Sequence, residues 1–175
     1  MVENMLARDL RSYLADRLKG FTLPAQAGRG EPETRRTPQV VNGYLPPKRS
    51  NAQDDFPFIV VRPESGRTSA ESTSVDVSII VGCYTETFDG HEDCINVMAK
   101  IRQALIDLPC GTLARRYQFD GDISWSLADE QPWPYWELTM STSWTLNAPQ
   151  AQCDDFLTTG GKWHDEEETA GNGAD

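Results

Sequence analysis

Proton transfer, nucleophilic attack and metal binding each draw on a short list of side chains, and this chain holds few of them in usable spacing. Its two histidines are His91 and His164, so a Ser-His-Asp or Cys-His arrangement would rest on one of them. His164 lies in a stretch without apolar periodicity, and His91 opens an amphipathic segment, where a solvated imidazole is the ordinary reading. Carboxylates pair at Asp54-Asp55 and in Asp120-Gly121-Asp122. Hard cations accept such oxygens, but Asp-Gly-Asp between strand-like segments is first of all a turn. Neither pair has the longer acidic spacing of an EF-hand, and there is no glycine-rich phosphate loop. Cys83, Cys94, Cys110 and Cys153 are too scattered for a CxxC or zinc spacing. Cys83 and Cys94 fall on apolar patterns and read as small buried hydrophobes of a reducing compartment. These residues assign no catalytic group, no metal ligand and no cofactor.

Contact chemistry is better supplied. Trp125, Trp133, Trp136 and Trp144 crowd the last third of the chain. Three of them hold alternating strand positions and are expected in the core, whereas Trp133 stands in Glu130-Gln131-Pro132-Trp133-Pro134, a rigid turn that presents an aromatic anchor. Net charge is −11 and is unevenly spread. Residues 1–49 carry nine basic against five acidic side chains, a net of +4. Residues 149–175 carry seven acids against Lys162, a net of −6, which leaves −9 for the body between. Such a body repels phosphate, which argues against sequence-reading nucleic-acid binding. The basic pair Arg35-Arg36, together with Arg67 and Trp133, are the candidate assembly contacts, since oppositely biased ends can meet head to tail between copies.

These side chains need elements to hold them. A helix is expected over roughly Asn4 to Leu18, with Met5, Leu6, Leu10, Leu14 and Leu18 on one face, Asn4 as cap and Gly20 as stop. The stretch 20–38, rich in Pro and Gly, reads as an extended arm or loop. Gln39 to Leu45 and Phe56 to Arg62 read as strands, and 64–74 as a polar hairpin loop. Val75, Val77, Ile79 and Val81 then mark a strand running back antiparallel. A second helix follows, signalled by Asp89 and Glu92 and faced by Ile95, Met98, Ile101, Leu105 and Leu108. Tyr117, Phe119, Ile123, Trp125 and Leu127 hold odd positions, broken at Asp120-Gly121-Asp122 by a turn or a bulge, and Trp136, Leu138, Met140, Trp144 and Leu146 hold even ones.

The order of elements predicts an α+β fold: a mostly antiparallel sheet of about five to six strands with two helices on one face. One domain over 1–148 is expected, followed by a disordered acidic tail over 149–175 that cannot bury enough apolar surface to order itself. The length of 175 residues allows such a domain, and the 38% hydrophobic content, somewhat low for a fully packed chain, points to polar segments diluting a globular centre. No window approaches the roughly 18 consecutive apolar residues that span a bilayer. Glu3 and Asp9 interrupt the opening stretch where a secretory leader needs apolar residues, so an intracellular chain without a membrane partner is expected.

Three stretches carry a resemblance. Tyr44-Leu45-Pro46-Pro47-Lys48 leads to Phe56-Pro57-Phe58-Ile59-Val60-Val61-Arg62-Pro63, then comes Gly90 through Ile101-Arg102-Gln103-Ala104-Leu105, then Trp125 through Glu130-Gln131-Pro132-Trp133-Pro134-Tyr135-Trp136. Together, over roughly 40–147, they resemble the tail terminator or tail completion proteins of tailed bacteriophages, which belong to the head-to-tail joining region. The resemblance implies an α+β virion subunit, assembled in the host cytoplasm as a homo-oligomeric ring, commonly of six copies. Such a ring caps the tail tube protein, faces the head-tail connector protein and lets DNA pass through its lumen without sequence-specific binding. It implies no enzyme activity and carries over no catalytic residue. The arm at 20–38 and the acidic tail depart from the pattern. A head-closure or minor tail protein of the same neck region is the neighbouring reading, and a small metal-dependent hydrolase using the acidic residues is the remaining one.

Overall fold

The alternation through Val75–Val81 and Trp136–Leu146 places two long strands side by side at the centre of a sheet. The computed structural model describes residues 2–25, 34–45, 47 and 55–147. In chain order the elements are α1 (Val2–Arg17), β1 (Leu23–Ala25), β2 (Thr34–Arg36), β3 (Gln39–Asn42), β4 (Phe58–Thr68), β5 (Ser72–Tyr84), α2 (His91–Ile106), β6 (Thr112–Leu113), β7 (Tyr117–Leu127) and β8 (Tyr135–Asn147). The fold is α+β. Six strands run in the order β3-β4-β5-β8-β7-β6, antiparallel throughout except for the parallel pair β3–β4, and β1 and β2 form a separate antiparallel ribbon. The spine is β5 against β8, paired without interruption from Ser72 opposite Asn147 to Tyr84 opposite Tyr135.

Both helices lie on one face. Leu6, Leu10, Leu14 and Leu18 from the first helical segment, with Cys94, Val97, Met98, Ile101 and Leu105 of α2, pack on Ile59, Val61, Val77, Ile79, Val81, Leu138, Met140 and Trp144. The inward set of β8 includes Thr142, whose hydroxyl donates to the Val77 carbonyl at 3.1 Å and accepts from the indole Nε1 of Trp144 at 3.0 Å. The hydroxyl thus satisfies both itself and a fully buried tryptophan, as interior polar atoms require. Tyr13 donates to the Ala104 carbonyl at 2.6 Å and joins the helices, and Arg11 donates to the Val40 carbonyl at 2.9 Å and ties α1 to β3. On the other face the Phe58 ring lies over Gly82, so close that a β-carbon there would stand 2.3 Å from it. The break at Asp120-Gly121-Asp122 is a bulge: pairing with β8 shifts between Phe119 and Ile123, with Gly121 at φ +90°.

The structure corrects several expectations. The 20–38 stretch is not wholly an arm, because Leu23 and Ala25 are buried and fix β1, against which Thr34–Arg36 pairs. The 64–74 loop shrinks to a three-residue turn at 69–71. Beyond Pro63 the residues of β4 are exposed on both sides and show no apolar alternation, while β5 keeps Thr73 and Val75 buried, and backbone pairing from Ser65–Asp76 to Thr68–Thr73 ties β4 to it. Side chains reinforce it: Ser65 and Ser143 both donate to the Asp76 carboxylate, at 2.7 and 2.8 Å. The first helix begins at Val2, which puts Asn4 inside it rather than at its cap. The second begins at His91 with Gly90 in the cap position and no side-chain cap, since Asp89 contributes only its carbonyl, to the Glu92 amide at 2.9 Å. Trp125 is 47% exposed, not core, because it stands on β7 beyond the reach of the helices and of two-residue β6. The acidic stretch 149–175 lies outside the described residues.

Candidate assembly surface

The sheet ends in two open edges. Two-residue β6 covers only Tyr117 and Gln118, so from Phe119 to Leu127 the outer side of β7 meets no further strand among the described residues. Across the sheet, β3 covers β4 only from Phe58 to Val61, and Arg62 to Thr68 are likewise uncovered. An uncovered strand presents a row of backbone donors and acceptors, the template for adding another strand. Pro63 and the register shift beside it blunt the β4 edge, and the Gly121 bulge blunts the β7 edge, which restricts pairing to particular partners. Their charges differ in sign. On β4 Arg62 is engaged by Glu64 at 2.7 Å, while exposed Arg67 pairs with no carboxylate among the described residues. On β7 the bulge exposes Asp120 and Asp122.

The four contact candidates fall in three places. Arg67 is near the hairpin tip, opposite Ser74. Trp133 is 58% exposed at the other end of the sheet, in the turn before β8, where the Thr85 amide donates to the Pro134 carbonyl at 3.0 Å. Along β5 the two ends are separated by roughly 34 Å at about 3.4 Å per residue. Arg36 lies at the Trp133 end: its guanidinium donates to the Phe56 carbonyl, and the Phe56 ring stacks on Tyr135 at 4.8 Å and Phe58 at 4.9 Å. Arg35 turns away and donates to the Thr22 carbonyl at 3.0 Å. The Trp133 end holds a second aromatic that sequence reading passed over, Phe88, 90% exposed among Glu86 and Asp89. A lone aromatic in a polar turn, the signal used for Trp133, was available for it too.

No family model matches the chain, and no curated protein matches it. The surface therefore has to be judged on its own chemistry.

The residues considered for catalysis are dispersed. His91 faces the Trp136 ring at 5.9 Å, Asp120 and Asp122 are on the β7 bulge, and the backbone carbonyl of Asp55 accepts from Gln39 at 2.8 Å. Asp54, Cys153 and His164 lie outside the described residues. Among the described residues no group of three or more His, Cys, Asp or Glu is placed to hold a metal ion, and no helix is long and apolar enough to cross a membrane. Cys83 and Cys94 are buried, as their apolar spacing predicts, and Cys94 donates to the Trp136 carbonyl at 3.5 Å. Its neighbour Cys94, through a hydrogen bond, and then burial push the Cys83 thiol pKa far up, so it stays protonated and unreactive. Asp76 is held below the usual carboxylate range, by its hydrogen bonds from Ser65 first and Ser143 second.

Proposed function

We propose that this chain is a structural assembly subunit, the ring-forming tail terminator of a tailed bacteriophage, which caps the tail tube and contributes to the head-tail joint. The observation that carries the reading is the pair of uncovered, oppositely charged sheet edges. Strand directions alternate through β4, β5, β8 and β7, so when copies are repeated side by side β7 of one meets β4 of the next antiparallel, the favoured pairing. The contact joins two different surfaces, and such heterologous contacts close into rings when the rotation permits. Arg67 then approaches Asp120 and Asp122. The number of copies, six, and the identities of the tube and connector partners rest on the resemblance of the three sequence stretches. Within the ring the acidic body offers DNA no counterion-release gain, so DNA slides through without adhering.

The mass of the purified chain, alone and with isolated tail tubes, tests the ring. Arg67→Glu and Asp122→Arg each weaken association about two- to fivefold per contact, and together they restore it. A chain that stays monomeric at high concentration and on tail tubes, or single reversals without effect, overturns the edge contact. Electron microscopy of particles lacking the chain tests the terminator role: overlong tails support it, and tails of normal length detached from heads refute it.

A further inference from the structure

A cleft of about 500 Å³ opens between α2, from Asp93 to Gln103, and the segment that leaves α1. Phe21 and Leu23 give it an apolar wall, and Arg35, Lys100 and Arg102 stand around it. Lys100 and Arg102 are exposed and pair with no carboxylate among the described residues. The one acid lining the cleft, Asp93, accepts from the Thr85 hydroxyl at 2.6 Å. In a chain of net charge −11 this is a concentration of positive charge beside an apolar wall. Such a surface complements an acidic peptide with an aromatic residue.

The chain itself carries such a peptide. After Asn147 the sequence continues for 28 residues, and within them Trp163-His164 is followed at once by Asp165, Glu166, Glu167 and Glu168. We infer that the cleft receives this run of its own chain, with the Trp163 indole on the apolar wall and the carboxylates against Arg35, Lys100 and Arg102. Reach permits it. Asn147 lies opposite Ser72 at the hairpin end, so the path to the cleft runs back along the sheet by no more than its length. The sixteen residues to Trp163 extend to about 53 Å at roughly 3.3 Å each, and β5 is only about 43 Å long. Tethering favours the chain's own cleft over that of a free neighbour, because covalent connection holds the peptide at an effective concentration on the order of millimolar. The inference is independent of the ring: a monomer that shows this contact keeps it and loses the ring.

The test is zero-length carbodiimide coupling of amines to carboxylates on the full-length protein, with cross-linked peptides read by mass spectrometry. A mixture of isotopically heavy and light chains separates links within a chain from links between chains. The expected result is a link from Lys100 to the 165–168 run within one chain, reduced about fivefold or more by Arg102→Glu and by roughly 1 M salt, where the screening length falls to about 3 Å. A Glu-specific protease gives an independent reading: the same run is protected in the native protein and cut faster in Arg35→Glu/Arg102→Glu, both exposed positions whose reversal spares the core. Absence of the Lys100 link, links only between heavy and light chains, or a yield and cutting rate insensitive to these variants would each overturn the inference.

Discussion

Replacing Gly82 by alanine tests the packing of the face that the helices leave bare. A β-carbon at Gly82 would lie 2.3 Å from two Phe58 ring atoms and 2.8 Å from a third. Phe58 is 6% exposed and its ring is flanked by Phe56 at 4.9 Å, so it has little room to swing away. Overpacking of this kind costs about 1–3 kcal/mol. Against it, alanine restricts the unfolded chain and returns about 0.4–1 kcal/mol where the backbone is compatible. The net expectation is a loss of about 1–2 kcal/mol, a fall in Tm of roughly 2–8 °C for a domain of this size. Gly66→Ala is the internal control. Its β-carbon would meet only the Ser74 carbonyl at 3.4 Å and Val75 at 3.7 Å, so it should be neutral or mildly stabilising. Urea unfolding of both variants, and of Gly82→Ala combined with Phe58→Leu, measures the effect. The two changes should be strongly non-additive, since a smaller residue 58 removes the clash. A Gly82→Ala protein as stable as the parent, or a double mutant whose costs simply add, would refute the reasoning.

Thr142→Val should cost about 1–3 kcal/mol by urea unfolding, because it leaves the buried Trp144 indole N–H without its acceptor; a cost near zero would show that another acceptor serves it. Asp76 has a depressed folded-state pKa, so its contribution to stability is full above the unfolded carboxylate value of about 3.9 and is lost as pH falls through the lower folded value. Asp76→Asn should therefore flatten the acid limb of the stability–pH curve, and an unchanged limb would assign that dependence elsewhere. Among the described cysteines a thiol reagent should label exposed Cys110 first, with Cys83 and Cys94 reacting only on unfolding, as peptide mapping against denaturant will show.

The α+β class was legible because its main elements carry clean periods. Even positions of β8 read as buried and are from Leu138 to Leu146, with Trp136 only partly covered, and the apolar stripe of α2 marks the face that packs. What escaped reading lacked a hydrophobic signature. The distal part of β4 is held by backbone pairing to β5 and by Ser65, Asp76 and Ser143, none of which looks like strand core. β2 exists because it has β1 to pair with, and three polar residues cannot announce that. Trp125 shares its alternation with buried neighbours, yet exposure depends on how far the helices extend over the sheet, which a single strand does not encode. For the same reason the surface was only partly legible. Trp133 could be singled out as an exposed aromatic, whereas the open edges of β4 and β7 are properties of strand order. Arg35 and Arg36, adjacent in sequence, serve different places because consecutive residues of a strand face opposite ways.

The uninterrupted pairing of β5 with β8 also has a mechanical consequence. Force applied between the hairpin end and the Trp133 end runs parallel to these strands and is shared across the whole ladder of hydrogen bonds, so the rungs must rupture together rather than unzip singly. A pull on the outer edges, directed across the sheet, meets two-residue β6 and four-residue β3 first. The domain should therefore be stiff along its strands and yielding across them, an anisotropy that single-molecule stretching from differently placed handles can measure.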